Sequence, residues 1–283
     1  MSVTIAHLAD VHFGGVADLE LVEAVEAQVP ELGADAIVIS GDVAQRARHG
    51  EFQRALALVQ GFRRTAPVLV VPGNHDVQWW RSPFGLLGPA PRYAKYRRYF
   101  GADLGPVLEV PGAVIAGLVS AHGLSVGSLT WNQRDLTVKG HLPRAETDRA
   151  ARAFAAAPAE AVKVAVLHHN VLRGRLSRRM GLAHWKDAQA RLDAIGADVV
   201  LCGHDHEEGA GDLPRGTVIS TAGTISTRSR GKRPCSFNVV TVDEGAVSVR
   251  HWRWDRPAGR FVPSDEARFA RRHARQGAAA GGR

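Results

Sequence analysis

The chain has 283 residues, 45% of them hydrophobic and 23% charged, which fits a globular protein of one large domain or two small ones. Its two cysteines, Cys202 and Cys235, exclude a secreted disulfide scaffold and suit a reducing cytosol, and no run of about 18 apolar residues is present to span a membrane. A net charge of +8 and a pI near 10.2 invite a nucleic-acid reading, but five of the 36 basic residues are lysines and the rest arginines, a bias that genome composition alone can produce. The opening Met1-Ser2-Val3-Thr4-Ile5 lacks the positive region and apolar stretch of a signal peptide, so a cytoplasmic protein is expected.

Short β-branched runs predict strands at Val3–Leu8, Ala36–Ser40, Val68–Val71, Val114–Leu118, Val162–Leu167, Val199–Leu201 and Val218–Ser220. Each is nearly all apolar, as a strand covered on both faces requires. Leu19, Val22, Val25 and Val29 mark a helix stopped by Pro30, and Phe52, Leu56, Val59 and Phe62 mark a second. The alternation predicts an α/β protein with a largely parallel or mixed sheet. Leu32-Gly33-Ala34-Asp35 and Ile195-Gly196-Ala197-Asp198 each read as a helix end with Gly just past it, then a turn into a strand.

Residues 77–109 show no clear strand and are expected to form a cap or insertion within a main domain spanning 1–262. Phe237–Val242 and Val247–Trp254, around Gly245, read as a hairpin. After Pro263 the chain turns Arg-, Ala- and Gly-rich, so 263–283 is expected to be a basic tail, a short helix and then disorder.

The strand ends carry the chemistry. The first runs into Asp10-Val11-His12, the second into Gly41-Asp42, and the third into Gly73-Asn74-His75-Asp76. Later strands run into His168-His169-Asn170 and Gly203-His204-Asp205-His206. Ligands of open α/β sheets bind beyond the carboxyl ends of the strands. Residues i and i+2 of an extended segment point to one side, so both members of Asp-x-His or His-x-His can reach one ion. Oxygen and nitrogen donors without thiolate suit manganese, iron or zinc. Alone, each fragment has a blander reading: Gly41-Asp42 as a turn, His204 and His206 as exposed loop residues. Their joint occurrence in order points to a metal site.

These five motifs resemble the signature of the calcineurin-like metallophosphoesterases, over about residues 3–254. Val11-His12-Phe13-Gly14, the run Ser40–Arg48 and Gly223-Thr224-Ile225-Ser226-Thr227-Arg228 are similar to the bacterial branch that includes class III cyclic-nucleotide phosphodiesterases. The resemblance implies a four-layer αββα sandwich of two mixed β-sheets flanked by helices, with two metal ions between the sheets. It implies that Asp10, His12, Asp42 and His206 hold one ion, and that Asp42, Asn74, His168 and His204 hold the other, Asp42 bridging. His169 is the alternative to His168. Two ions about 3.5–4 Å apart lower the pKa of a bridging water, giving a hydroxide for in-line attack on phosphorus. His75 would stabilise the phosphoryl charge or protonate the leaving oxygen, with Asp76 orienting its ring.

The implied activity is hydrolysis of phosphodiesters, cyclic nucleotides or similar small diesters foremost, without membrane partners. A nuclease, a phosphomonoesterase or a non-catalytic metal-binding scaffold are the alternatives, and nucleic acid is the less favoured partner. Asp205 stands where a non-acidic residue is commoner in this branch, as a support behind the ligands or facing solvent. His122 lies where relatives often carry an Asn pair, and reads as a surface residue or a pocket residue.

Weaker features keep two readings each. Tyr93–Phe100 interleaves aromatics and cations; a helix burying Tyr96 and Phe100 is favoured over a base-stacking surface. Trp79 and Trp80 line a pocket or anchor the insertion. Arg173, Arg175, Arg178 and Arg179 attract an anionic substrate or lie on a solvated loop, as do Arg228, Arg230, Lys232 and Arg233. Arg268, Arg271, Arg272 and Arg275 read as a solvated helix face.

Overall fold

A computed structural model describes residues 2–78, 90–122 and 139–272. Strands β1 (Val3–Leu8), β2 (Ala36–Ser40) and β3 (Val68–Val71) are followed by β4 (Val107–Val110), β5 (Ala113–Gly117) and β6 (Val162–Val166). Then come β7 (Val199–Cys202), β8 (Gly209–Asp212), β9 (Val218–Thr221), β10 (Ser236–Val242), β11 (Ala246–Asp255) and β12 (Arg260–Ala270). They form two six-stranded mixed sheets, ordered β12-β11-β10-β1-β2-β3 and β4-β5-β6-β7-β9-β8. The helices are α1 (Leu19–Glu31), α2 (His49–Phe62), α3 (Ala94–Phe100), α4 (Arg144–Ala156) and α5 (Trp185–Ala194).

Period-two alternation explains why the strands are apolar throughout. In β1, Val3 and Ile5 join Ile115, Val164 and Leu201 between the two sheets, while Ala6 and Leu8 face Val25 and Val59 of the outer helices. On the far side, Ala150 and Phe154 of α4 and Leu192 of α5 cover Ala116 and Val200. The result is the expected four-layer sandwich, α1–α3, sheet, sheet, α4–α5, the α/β architecture of a metallophosphoesterase. Gly33 and Gly196 both adopt positive φ, 59° and 82°, at the paired helix-to-strand junctions. The aspartates that follow close them in the same way, Asp35 accepting the Thr4 N–H at 2.8 Å and Asp198 the Lys163 N–H at 3.0 Å.

Three expectations change. Directly after Pro263 the chain is strand rather than helix: β12 continues the hairpin to Ala270, because pairing with β11 offers its backbone a ladder that the basic sequence does not advertise. Arg271 is buried, not solvated, and grips Asp198 with Nε and Nη2 at 3.0 and 3.2 Å, joining the end of one sheet to the other. Arg268 pairs with Asp243 and Arg272 donates to the Asp193 carbonyl; Arg275 lies outside the described residues. Within 77–109, β4 begins at Val107 as an edge strand. Tyr96 is buried and meets Phe52 of α2 edge-on at 6.1 Å, the packing reading of that helix. Trp79 and Trp80 lie outside the described residues. No described helix is long and apolar enough to cross a membrane.

Candidate metal centre

Parallel pairing of β1 with β2, of β2 with β3, and of β6 with β7 sets the five chemistry-bearing strand ends on one rim. The loops are zipped together: Asp10 N–H donates to the Gly41 carbonyl, His12 N–H to the Asp42 carbonyl, and Gly203 N–H to the His168 carbonyl. Asp10, His12, Asp42, His204 and His206 all hold φ between 50° and 75°, the left-handed region that non-glycine residues avoid. Such strain persists only where surrounding structure imposes it, and it concentrates at functional sites. Gly73 is required by contact, since a Cβ there would lie 2.1 Å from Asp42 Oδ1.

Each carboxylate has one oxygen pinned and the other aimed inward. Asp10 Oδ2 accepts the His204 N–H at 2.8 Å, and Asp42 Oδ1 accepts the His75 N–H at 2.8 Å. Asp10 Oδ1 then lies 3.3 Å from His206 Nε2 and 3.6 Å from His12 Nε2. Asp42 Oδ2 lies 3.7 Å from His12 Nε2 on one side and 3.3 Å from His168 Nε2 on the other. Asn74 Oδ1 is 3.1 Å from both His168 Nε2 and His204 Nδ1. Donor atoms therefore gather on either side of Asp42, with Asp10, His12 and His206 on one side and Asn74, His168 and His204 on the other.

The arrangement fits a cation at each set. His12 and His206 bring their Nε2 atoms within 3.0 Å, and His168 Nε2 is 3.2 Å from His204 Nδ1. Outer contacts fix which nitrogen faces in: His168 Nδ1–H donates to the Ser40 carbonyl and His206 Nδ1–H to the Arg228 carbonyl, each at 2.9 Å. Asp10 Oδ1 is buried without a hydrogen-bond donor, a polar atom awaiting a positive partner. Burial pulls His204 down to about 3 and lowers His12, leaving neutral imidazoles, the form that binds metal. Burial also acts on His168, but the Asp42 carboxylate outweighs it and holds the ring up at about 9. Asp10 likewise outweighs burial at His206 and raises it. The imidazoles in turn outweigh the burial of Asp10 and Asp42 and keep both carboxyls well below the usual range. This is a field that demands positive charge. Oxygen and imidazole donors without thiolate are the chemistry of a transition-metal pair.

Other expected roles are redistributed. His75 Nδ1–H donates to the Gln45 carbonyl at 2.8 Å, and its Nε2 accepts from Arg228 Nη1 at 3.2 Å. Asp76 does not orient that ring. Its side chain turns the other way and accepts the Gly73, Ala44 and Val43 N–H groups at 2.8, 2.8 and 3.2 Å, stitching the β2 and β3 loops together. Adjacent residues of a loop diverge, so Asp76 lies under the metal loop while His75 faces the cleft. His169 sets its ring 4.5 Å from that of His204, tilted by 45°, and meets Ser120 Oγ at 2.9 Å; it is His168 that addresses Asp42. His122 is half-buried and is not among the residues that line the cleft. Burial lowers it to about 4, and its Nε2–H donates to the Val119 carbonyl. Asp205 is buried and accepts from Ser177 and Arg230.

A cleft of about 460 Å³ opens over Asp42, Asn74, His75, His204 and His206. Arg173, Arg178, Arg179, Arg228 and Arg230 line it, and so do Lys139, Met180 and Trp185; Arg175, Lys232 and Arg233 of the same two runs are not among its lining residues. Lys139, Met180 and Trp185 carry no motif. Lys139 arrives by pairing of Gly140 with Leu182, and Trp185 sits at the start of α5, placements that only the folded chain defines.

The family described as Calcineurin-like phosphoesterase matches residues 3–208, and the chain belongs to that family of phosphoester hydrolases. No curated protein matches the sequence. Among solved structures, a purple acid phosphatase from yellow lupin (Lupinus luteus) seeds aligns with a TM-score of 0.69 at 11% identity over 96% of this chain, which spans only 54% of the lupin enzyme. A dimetal phosphatase from Danio rerio aligns at 0.66 and 13% identity over 95% of this chain and 99% of its own. GAP50, the anchor in the inner membrane complex of Plasmodium, aligns at 0.57 and 12% identity over 99% and 94%. At these identities the likeness is one of fold.

Proposed function

We propose that the protein is a dinuclear-metal phosphodiesterase acting on small diesters, cyclic nucleotides among them. The observation that carries the reading is Asp42 Oδ2 standing between His12 and His168, one carboxylate shared by two complete donor sets. Asp10, His12, Asp42 and His206 would hold one ion, and Asp42, Asn74, His168 and His204 the other; manganese, iron and zinc suit these donors. Bound there, the pair would supply an activated water and a clamp on phosphoryl oxygens.

The chain's own residues do the rest. The Ser40 and Arg228 carbonyls hold His168 and His206 in the tautomers that present Nε2 inward. Arg228 places a permanent positive charge beside His75 at the mouth of the centre, where charge builds on the phosphoryl oxygens. The Gln45 carbonyl fixes the His75 tautomer and leaves Nε2 as the atom able to exchange a proton with a leaving oxygen. Trp185 and Met180 give the cleft an apolar wall for a base.

The test is a manganese-supplemented panel of cyclic nucleotides, linear diesters, monoesters and single-stranded DNA, with metal analysis of the purified protein. Diester hydrolysis abolished by chelation and restored by Mn²⁺ is expected. A protein that binds no metal and turns over no ester would be a scaffold, and faster DNA or monoester turnover would reassign the substrate.

A further inference from the structure

We infer that the cleft holds a second anion subsite, built from Arg173, Arg178 and Arg179 on one wall and Arg230 on the other, that takes a second phosphoryl group of a small pyrophosphate- or bisphosphate-type ester. The inference rests on the phosphoesterase reading above and narrows its substrate.

Charge is the first reason. Among the described residues, six cationic side chains line the cleft, whereas beyond Asp42 a single carboxylate does, Asp205. Among the described residues, Arg173, Arg178 and Arg179 have no carboxylate within ion-pair distance. A diester with one negative charge would be met by the metal centre, Arg228 and His75, leaving these three guanidinium groups without a carboxylate partner among the described residues. Guanidinium forks match phosphoryl oxygens two at a time, so a second phosphoryl group answers that surplus.

Construction is the second. A loop that served only to carry solvated arginines would need no anchoring, yet this one is held by three buried polar side chains. Ser177 Oγ donates to Asp205 Oδ2 at 2.5 Å, and the Leu176 N–H donates to both oxygens of Glu207 at 2.9 Å. Asn170 Nδ2 donates to the Leu172 and Arg179 carbonyls at 2.8 and 3.2 Å. Arg178 is held at φ 54°, a strained value for a residue with no packing role. Alternation along the final metal loop does the coupling: His204 and His206 point to the metal centre, while Asp205 and Glu207 point to the arginine loop. The opposite wall is tied to the same residue, Arg230 donating through Nε to the Asp205 carbonyl at 2.8 Å and placing Nη2 3.3 Å from Asp205 Oδ1. The arginines are thus registered against the metal centre by one short segment. A cleft of about 460 Å³ is of small-ligand size, which favours a compact phosphate ester over a polymer.

The experiment compares diadenosine pyrophosphate with adenylyl-adenosine, which has one phosphate fewer and a 3′–5′ ester in place of the 5′–5′ anhydride, on the manganese-loaded wild type, Arg178→Ala/Arg179→Ala and Arg178→Lys/Arg179→Lys. The change in preference between variants, free of the substrates' intrinsic reactivity, reads the subsite. The wild type is expected to favour the pyrophosphate in kcat/KM by at least about tenfold, a preference that shrinks with salt. The double-alanine variant is expected to lose most of that preference, and the double-lysine variant to keep only part of it. Calorimetry supplies a readout without turnover: methylenediphosphonate should bind the wild type about tenfold or more tighter than the double-alanine variant. Equal kcat/KM for the two esters in the wild type, or a preference untouched by the alanines, overturns the subsite while leaving the phosphoesterase standing. Faster cleavage of a single-stranded oligonucleotide than of either ester overturns the small-molecule assignment. If no ester is hydrolysed, the phosphoesterase reading falls, and the diphosphonate affinities alone decide the subsite.

Discussion

Asp42 Oδ2 lies 3.3 Å from His168 Nε2, so a carboxylate from one sheet meets an imidazole from the other at the seam of the sandwich. Because the same oxygen also faces His12, Asp42→Ala is expected to empty both sites. Metal analysis after dialysis should find less than one ion per chain, with diesterase activity lost. Two tightly held ions in that variant would place the bridge elsewhere.

His75 is held by Gln45 and Arg228 and faces the cleft, so His75→Ala is expected to keep its metal and lose about 10²–10⁴ in turnover. The loss should shrink for nitrophenyl esters, whose leaving group needs no proton. An equal loss across leaving groups would restrict His75 to stabilising phosphoryl charge, and loss of metal would make it a ligand.

His7 lies buried between the sheets with Ser220 and Ser40 hydroxyls on its two nitrogens, and burial lowers it to about 3. Below the unfolded value of 6.5, the unfolded chain takes up a proton that the folded chain refuses. Stability is therefore full above that pH and drains as pH falls towards 3, by about 2 kcal/mol at pH 5. Urea melts of metal-free protein at pH 7.5 and 5 should show this loss in the wild type, and a loss smaller by about that amount in His7→Gln. Parallel pH dependences would remove His7 as the cause.

Arg271→Ala leaves Asp198 charged and buried at the junction of the sheets. Breaking one side of a buried pair costs about 3–5 kcal/mol, to be read as a lower urea midpoint. A change below about 1 kcal/mol would mean that water replaces the guanidinium there.

Much of this was legible in the residue order. Val3–Leu8 and Ala36–Ser40 are read as strands because burial on both faces keeps them nearly all apolar, and α1 because Val22, Val25 and Val29 fall on one stripe, although Leu19, read with them, is exposed and Leu21 is buried in its place. Helix α4 buries only Thr147, Ala150 and Phe154, too small a stripe to stand out, and Gly209–Asp212 has no β-propensity at all. Those elements exist because a neighbour offers them a face or an edge.

The sequence by itself marked out the candidate donors, since five strand ends each carry theirs two to four residues past the strand's last residue. Periodicity carries that information locally. Only the tertiary structure decided that Asp76 braces a loop rather than a ring, that Arg271 is buried, and that Arg178, Arg230 and Trp185 surround one cleft. Those outcomes depend on which side of a loop faces which neighbour, and on pairings across more than a hundred residues of chain, neither of which has a repeating spacing to announce it.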